Sequence, residues 1–490
     1  IGPWLMAFVA IVFERWTCLE KAFSEYEIKK TVIIKDDYLL NIPLDMEHFS
    51  SLQEEDYWNH HIYSHILRAL NFTGINEIEK IKKDTDNIYL KSKVYREIRK
   101  KLKSFISRLS MLFQSDNNFF IIKTYLSSLD FLKLNIKLSQ FPVLYISERI
   151  DDHKALKKFR EWSLPETNPD NKFVQILKDL IPMQMPKCYL EGYKDLRERP
   201  SKLGWPKKPR LIWTSNSFHL DDVFKQWVAE KSNEDILFVI GQHGGNYGQA
   251  LFSFTEYHEL KISNYYLSWG WTSSNKQVIP LGILKKKVIK KRNQSIKKLL
   301  LIISSYPRYS GSLLSMPISK QVLDYFEDQK QFFSNLPSSI AKDTVVRLYP
   351  HDYLWSQKER WASSFPESVI DNCEEDFNSA LSNSQIVISG WNTTTYLESL
   401  AANIPTVIFW DSKYFELKDE AKEYFEQLEK VKIFHKNPHS AANHVQNIWE
   451  NIDEWWNQSE VVKARDNFKR KYVFSDNRPL DKLAEVFKSF

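Results

Sequence analysis

The sequence predicts an α/β protein made of two doubly wound halves with parallel sheets. Three observations predict it. Short apolar runs ending in Ser, Gly or Asn loops alternate with helix-length amphipathic segments over residues 209–271 and again over 299–410, and strands that alternate with helices pair in parallel. The run Ile386-Val-Ile-Ser-Gly-Trp-Asn-Thr-Thr-Thr-Tyr-Leu-Glu-Ser-Leu-Ala-Ala-Asn-Ile-Pro-Thr-Val-Ile-Phe-Trp410 reads as a strand, a turn, a helix opened by three hydroxyls, and a second strand behind Pro405. Gly241-Gln-His-Gly-Gly-Asn-Tyr-Gly248 places four of the chain's 12 glycines directly after a strand. In such sheets ligands gather at the carboxyl ends of the strands, where both loops belong.

Taken in order, residues 1–30 read as a helix, apolar through most of its first three turns and of mixed charge after Phe13. The chain begins Ile-Gly-Pro-Trp-Leu without Met, inside an apolar element, so further residues upstream are expected. Thr31 to Ile34 is a β-branched strand, and Asp36 to Leu70 is mainly helical around Trp58. The pair His60-His61 invites a metal reading, but adjacent helical residues face different ways, which favours structural histidines. Glu77 to Leu138 follows a mostly helical pattern. Ile78, Ile81, Tyr95, Ile98, Leu102, Phe105, Ile106, Leu109 and Phe113 supply its apolar face, and the lysines from Lys80 to Lys103 its solvated one. Those lysines also suit acidic lipid headgroups or a glycan phosphate. Phe141 to Ile146 is a continuous apolar run, read as a buried strand ending at Ser147-Glu148-Arg149.

The αβ register is sharper from Pro209. Residues 209–214 are a strand, 216–222 a turn, Val223 to Ala229 a helix, Ile236 to Ile240 a strand, then the glycine loop, then a strand from Tyr265 to Trp269. Leu284 to Lys298 is lysine-rich with few apolar residues and reads as a connector. Beyond it come a strand at Leu299 to Ile303 closing on Ser304-Ser-Tyr-Pro-Arg308, a helix at Ile318 to Leu336, and a strand at Val345 to Tyr349 closing on Pro350-His351-Asp352. A helix at Asp376 to Leu381, the Thr-rich unit, and a helical tail with a short strand at Val431 to Phe434 complete the chain. The expected domains are 1–284, with a helical insertion at 77–138, a linker at 285–298, and 299–490.

Hydrophobic residues at 43% and charged residues at 27% fit a soluble globular enzyme. A net charge of +6 without a clear basic stripe gives no reason to expect nucleic acid. The 16 Trp suit sugar or base stacking, as they suit a large core. Cys18, Cys188 and Cys373 show neither metal spacing nor a disulfide framework, so a reducing, cytoplasmic setting is expected; a place at the inner face of the membrane is a separate expectation. The sequons at Asn71, Asn293, Asn392 and Asn457 then carry no information. The apolar run from Ile1 to Phe13 is too short to span a bilayer and lacks the flanks of a signal peptide.

Chemistry concentrates in four places. His243, near a strand tip, suits an acid, a base or a phosphate donor, with Gly244, Gly245 and Asn246 as loop contacts to an acceptor. A tight structural turn is the competing reading, and the loop matches neither dinucleotide nor triphosphate fingerprints. Asp222 is placed to deprotonate an acceptor hydroxyl or attack an anomeric carbon, while Asp221 equally suits a helix cap. Glu148, Glu256 and Glu259 are further carboxylates. Asn392, Thr393, Thr394 and Thr395 open a helix whose N-terminus favours phosphate, and Glu398 lies one turn on, within reach of a ribose hydroxyl. An ordinary crossover capped by threonine explains the same residues. Arg308, Arg347 and His351 fall near strand ends and suit a phosphate pocket, or are plain surface residues. No Asp-x-Asp stands at a strand end, so no catalytic metal is expected, and no cofactor beyond a nucleotide-sugar co-substrate.

Two linked αβ halves of this kind resemble the GT-B architecture of glycosyltransferases, with two Rossmann-like domains. More closely, residues 241–248, Ser268-Trp-Gly-Trp271, and Trp391-Asn-Thr-Thr-Thr395 with Pro405 and Phe409-Trp-Asp411 resemble a bacterial family of transferases encoded in O-antigen and other surface-carbohydrate clusters. The resemblance covers most of the chain, and in that family Gly2-Pro-Trp-Leu5 lies well inside it. It implies a nucleotide-sugar donor in the second domain, a glycan or lipid-linked glycan acceptor on the first, and peripheral contact with a membrane. A looser similarity to transferases of CMP-linked ulosonic acids such as Kdo implies His351 as a nucleotide contact and Thr393 to Thr395 as phosphate contacts. Pro350-His351-Asp352 stands where those enzymes tend to have His-Pro, which leaves the donor open. Three other readings stay open: a nucleotide-sugar epimerase, a polyol-phosphate transferase, and a non-catalytic glycan-binding protein.

Overall fold

The computed structural model describes residues 1–35, 38–79, 103–165, 170–274, 276–284, 297–311, 314–371, 373 and 376–490. The lysine-rich start of the expected insertion and nearly all of the expected linker lie outside the described residues. The chain divides into two compact units, Ile1–Thr124 with Phe131–Val239, and Tyr125–Asp130 with Ile240–Phe490.

The first unit opens with the helix Gly2–Glu25, which carries a proline in its first turn, where a missing N–H costs nothing. Trp4, Phe8, Ile11 and Val12 form one stripe of that helix and pack with Met46, Phe49, Trp58, Ile62, Ile176 and Leu180 into the unit's core. By length and composition this helix is long and apolar enough to cross a membrane, but its apolar stripe is core. His60 Nε2 accepts the Ile34 N–H at 2.9 Å, a structural role. Thr31–Lys35 pairs in parallel with Ile75–Glu79, and Phe119–Ile122 with Leu211–Thr214.

Three expectations for this unit fail. Ile75–Glu79 and Phe119–Ile122 are strands where the periodicity predicts helix. Phe-Phe-Ile-Ile is aromatic and β-branched and buried along its whole length, which outweighs helical spacing. Phe141 to Ile146 is not a strand. Leu144 N–H bonds to Ser110 Oγ at 3.0 Å rather than to a neighbouring ladder, and Tyr145 stacks on Phe120 at 4.1 Å. Finally, Phe105, Ile106, Leu109 and Phe113, expected to face a core, are exposed.

The second unit holds a six-stranded sheet in the order Val369–Asp371, Thr344–Arg347, Leu299–Ile302, Ile386–Ser389, Thr406–Phe409, Phe434–His435, every pair parallel. Numbered by position in the chain, that order is 3-2-1-4-5-6, the Rossmann order, whose topological switch point falls between Leu299–Ile302 and Ile386–Ser389. Both of those strands are buried at every residue, which is why they read as unbroken apolar runs. The edge strand Val369–Asp371, with Val369 exposed, has no such run and escapes sequence reading. Tyr265–Ser268 pairs in parallel with Val278–Pro280, and helices from Asp419 onward finish the chain. The fold class read from the sequence is the one observed: α/β, with Rossmann-like parallel sheets and added helices at both ends.

Candidate active site

The switch point places two strand ends side by side, one leading to Ser304-Ser305 and the other to Gly390 and the Thr-rich turn. Gly390 lies against Gln329, so close that a Cβ would come within 2.2 Å of Gln329 Nε2. Thr393 occupies the N-cap of the helix Thr394–Ala401, yet its side chain makes no capping hydrogen bond. A threonine cap therefore does not explain the turn. The first N–H groups of the helix, with the positive end of its dipole, are available to an anion.

The glycine loop docks on this turn. Gly245 N–H donates to Thr394 Oγ1 at 2.7 Å. At Gly244, with φ at +156°, a Cβ would sit 2.5 Å from the same oxygen. Only glycine lets the backbone come this near. Thr394 accepts from the loop and keeps its own hydroxyl proton for a further acceptor. Beneath it, Tyr396 OH lies 2.6 Å from Gln249 Oε1 and 3.0 Å from Asn392 Oδ1. One hydroxyl proton cannot serve both, so one amide turns its NH2 toward the tyrosine. Gln249 and Asn392 are fully buried and each retains a polar atom without a protein partner, as does buried Ser305 Oγ. An unpaired buried polar group costs about 1–3 kcal/mol, so three of them near one switch point indicate a polar ligand.

Below the loop, Glu256 accepts Gly248 N–H at 2.7 Å and pairs with Lys418. Glu259 accepts from Tyr247 OH at 2.6 Å. Burial pushes the Glu259 carboxyl up to about 8, and the same burial, with Glu259 beside it, drives the Tyr247 phenol well up. Tyr247 OH also stands 3.5 Å from His243 Nε2, and the His243 ring faces Tyr125 with centroids 6.3 Å apart. Glu256 and Glu259 thus support the loop from inside. Asn246 is buried, and its carbonyl accepts the N–H groups of Gln249 and Ala250.

The remaining candidates of this unit lie at strand ends or on the loops and helices that leave them. Half-buried Arg308 lies over the Tyr309 ring at 4.9 Å and donates to its hydroxyl at 3.0 Å. His351 is exposed, its ring edge-on to Tyr353 at 4.3 Å. Thr395 and Glu398 are half-buried on the Thr-rich helix. Arg347 is bound to Asp371 at 2.7 Å on the neighbouring strand.

In the first unit, Asp221, Asp222 and Glu148 line one cavity of about 160 Å³, together with Asp45, Lys123 and Arg149. Asp221 is the cap of the helix Asp222–Ser232, accepting Phe224 N–H at 3.0 Å while holding Ser147 at 2.6 Å and Lys123 at 2.9 Å. Asp222 accepts from Met46 N–H at 2.7 Å and from Tyr189 OH, and pairs with Lys225 at 2.6 Å. Three of its roughly four acceptor positions are taken by the protein. Among the described residues no three His, Cys, Asp or Glu side chains form a metal-holding group.

Sequence reasoning missed Gln249, Tyr396, Ser305 and Gln329. Gln249 directly follows the last loop glycine and Tyr396 the last threonine, a cue to their place. Their pairing across 147 residues is invisible in a single chain.

Comparison with known proteins adds the following. Among solved structures, the wall teichoic acid polymerase TagF aligns over 81% of this chain and 95% of its own, at 10% identity and a TM-score of 0.35. MurG of Acinetobacter baumannii aligns over 61% and 78%, at 10% identity and 0.34. The chain spans about half of TarM, 54%, with 56% of its own length aligned at 12% identity and 0.35. None of these three reaches a TM-score of 0.5. No curated protein matches significantly. The model of the LIC12162 family transferases matches residues 1–487, and on that match the protein belongs to the LIC12162 family of transferases.

Proposed function

We propose that the protein moves a sugar from a nucleotide-sugar donor, and that the crevice at the switch point takes the donor's phosphates. The observation that carries this reading is the uncapped first turn of Thr394–Ala401, with the glycine loop seated on it and unpaired buried amides beside it. As the bond from sugar to phosphate breaks, negative charge grows on the leaving oxygen. N–H groups, a hydroxyl and a helix dipole aimed at that oxygen stabilise the transition state more than the ground state. Arg308 and His351 are proposed to add to this charge set, and Glu398 to bind a ribose hydroxyl. His243 is the proposed acid or base, its imidazole steadied by Tyr247 and Tyr125. Asp222 is proposed for the acceptor side, in a cavity whose carboxylates and cations match sugar hydroxyls. With the leaving charge met by these groups, transfer proceeds without a catalytic metal or a further cofactor. The resemblance read from the sequence supports an O-antigen or capsule precursor as acceptor, at the cytoplasmic face of the membrane, and keeps a CMP-linked ulosonic acid among the donors.

A thermal-shift panel of CMP, CDP, UDP, GDP and ADP tests this. One nucleotide should stabilise the protein selectively, by roughly 2.7 kcal/mol at a hundred times its dissociation constant, and Thr394→Ala should abolish the shift. No shift with any nucleotide would sink the reading. Donor consumed without acceptor would mean an epimerase, and phosphate carried over with the transferred alcohol a polyol-phosphate transferase.

A further inference from the structure

The helix at residues 103–111 is built with its faces reversed. Ser107 is fully buried and Ser110 is 8% exposed, and Ser110 Oγ donates to the Ser107 carbonyl at 2.7 Å while accepting Leu144 N–H at 3.0 Å. Its outward face, continued by the next two residues, carries Phe105 at 59% exposed, Ile106 at 46%, Leu109 at 47%, Leu112 at 77% and Phe113 at 62%. The spacing i, i+1, i+4, i+7, i+8 is the stripe a helix ordinarily turns into a core. Phe113 meets Phe141, itself 45% exposed, with ring centroids 4.4 Å apart, so the apolar surface runs on past the helix. A contiguous patch of this kind is kept in water when it serves a partner.

Charge selects the partner. Lys103 and Arg108 are exposed on the same helix. Residues 80–108 hold 11 Lys and Arg against three Asp and Glu, a balance of +8 where the whole chain has +6, so the rest of the molecule is at −2. A second copy of this chain would set Lys103 and Arg108 of this helix against a face carrying the same two cations. A surface combining apolar depth with negative charge fits both features, and a bilayer of anionic lipid has that combination. We propose that Phe105, Ile106, Leu109, Leu112 and Phe113 insert into an anionic lipid surface and hold the protein there. The proposal is independent of which group the enzyme transfers.

Flotation of the full chain with vesicles of phosphatidylcholine, with and without phosphatidylglycerol, tests it. The protein should float with the phosphatidylglycerol vesicles and be released by high salt. Leu112→Glu with Phe113→Glu should weaken binding by about tenfold or more at an unchanged melting temperature, because both side chains are exposed. Should that pair disturb folding, Arg108→Glu, which leaves the apolar stripe intact, should weaken binding to the anionic vesicles and make what binding remains less dependent on salt. Wild-type protein that ignores phosphatidylglycerol vesicles overturns the proposal. So does binding indifferent to both sets of substitutions, or a wild-type dimer that the double substitution dissolves, which would make a second copy the occupant.

Discussion

The crevice of the second unit and the cavity of the first are both lined with polar groups at strand ends, but they differ in how those groups are satisfied. In the cavity the protein answers its own charges: Asp222 has Met46, Tyr189 and Lys225, and Asp221 has Phe224, Ser147 and Lys123. At the crevice, Asn392, Gln249 and Ser305 keep buried polar atoms that no protein group answers, and a helix begins without a side-chain cap. Buried polar groups are paired as a rule. Satisfied ones therefore speak for the fold, and a cluster of unsatisfied ones at the strand ends of a switch point for a ligand. In the sequence, Asp222 and the Thr-rich turn both stand as candidates because their residue types suit chemistry. Residue type does not reveal what the neighbours have already claimed.

The largest effect expected from this contrast is on stability. Asp222→Ala leaves Lys225, whose side chain is 11% exposed, without its counter-charge. Breaking a buried pair from one side costs about 3–5 kcal/mol, so denaturant unfolding should show a loss of that order, while the nucleotide-induced shift survives. A variant that unfolds like wild type but has lost transfer activity would instead support the acceptor-side role proposed for Asp222 and remove its part in holding the fold.

Gly244→Ala should show the opposite balance. The new Cβ would meet Thr394 Oγ1 at 2.5 Å and must adopt a φ that side chains rarely tolerate. Strain of this kind costs on the order of 1–3 kcal/mol. Because it falls on the contact between loop and helix, nucleotide binding should be lost while a substantially folded protein remains. Equal binding by wild type and variant would separate the loop from the site.

Thr394→Val is milder. It removes one hydrogen bond, to Gly245, worth about 1 kcal/mol, and keeps the side-chain volume. A small loss of stability with a large loss of the nucleotide shift is expected, and equal loss in both would reduce Thr394 to a structural tie.

The parts of this contrast that the sequence shows are those carried by local pattern. Ile386–Ser389 and Leu299–Ile302 are buried along their whole length, so their apolar runs mark them as strands, and the hydroxyls after Gly390 mark a helix start. What depends on pairing is hidden. The Rossmann strand order requires knowing which strand lies beside which. The contact between Gly245 and Thr394 joins residues 149 apart. Nor does the spacing of Phe105, Ile106, Leu109 and Phe113 tell which side of the helix faces the protein. Ser107 and Ser110 take the inward side because they are small, and Ser110 Oγ bonds to backbone groups on both sides, the Ser107 carbonyl and the Leu144 N–H.

The smallest effect at neutral pH is expected from Glu259→Gln, and it probes the support under the glycine loop. Glu259 is fully buried, and burial raises its carboxyl from an ordinary 4.5 to about 8. At pH 7 the folded protein therefore holds it largely protonated, and glutamine of the same shape should change stability little. Across pH the two proteins diverge in a defined direction. Between about pH 4.5 and 8 the unfolded chain has released this proton while the folded chain keeps it, so wild-type stability falls as pH rises, by at most about 1.4 kcal/mol per pH unit. Glutamine carries no such proton, and the variant should lack this part of the decline. The stability difference, wild type minus variant, should thus drop steadily through that window and level off above it. A flat difference would mean that Glu259 is ionised in the folded state, with its charge met by the Tyr247 hydroxyl, and the glycine loop would then rest on a buried anion.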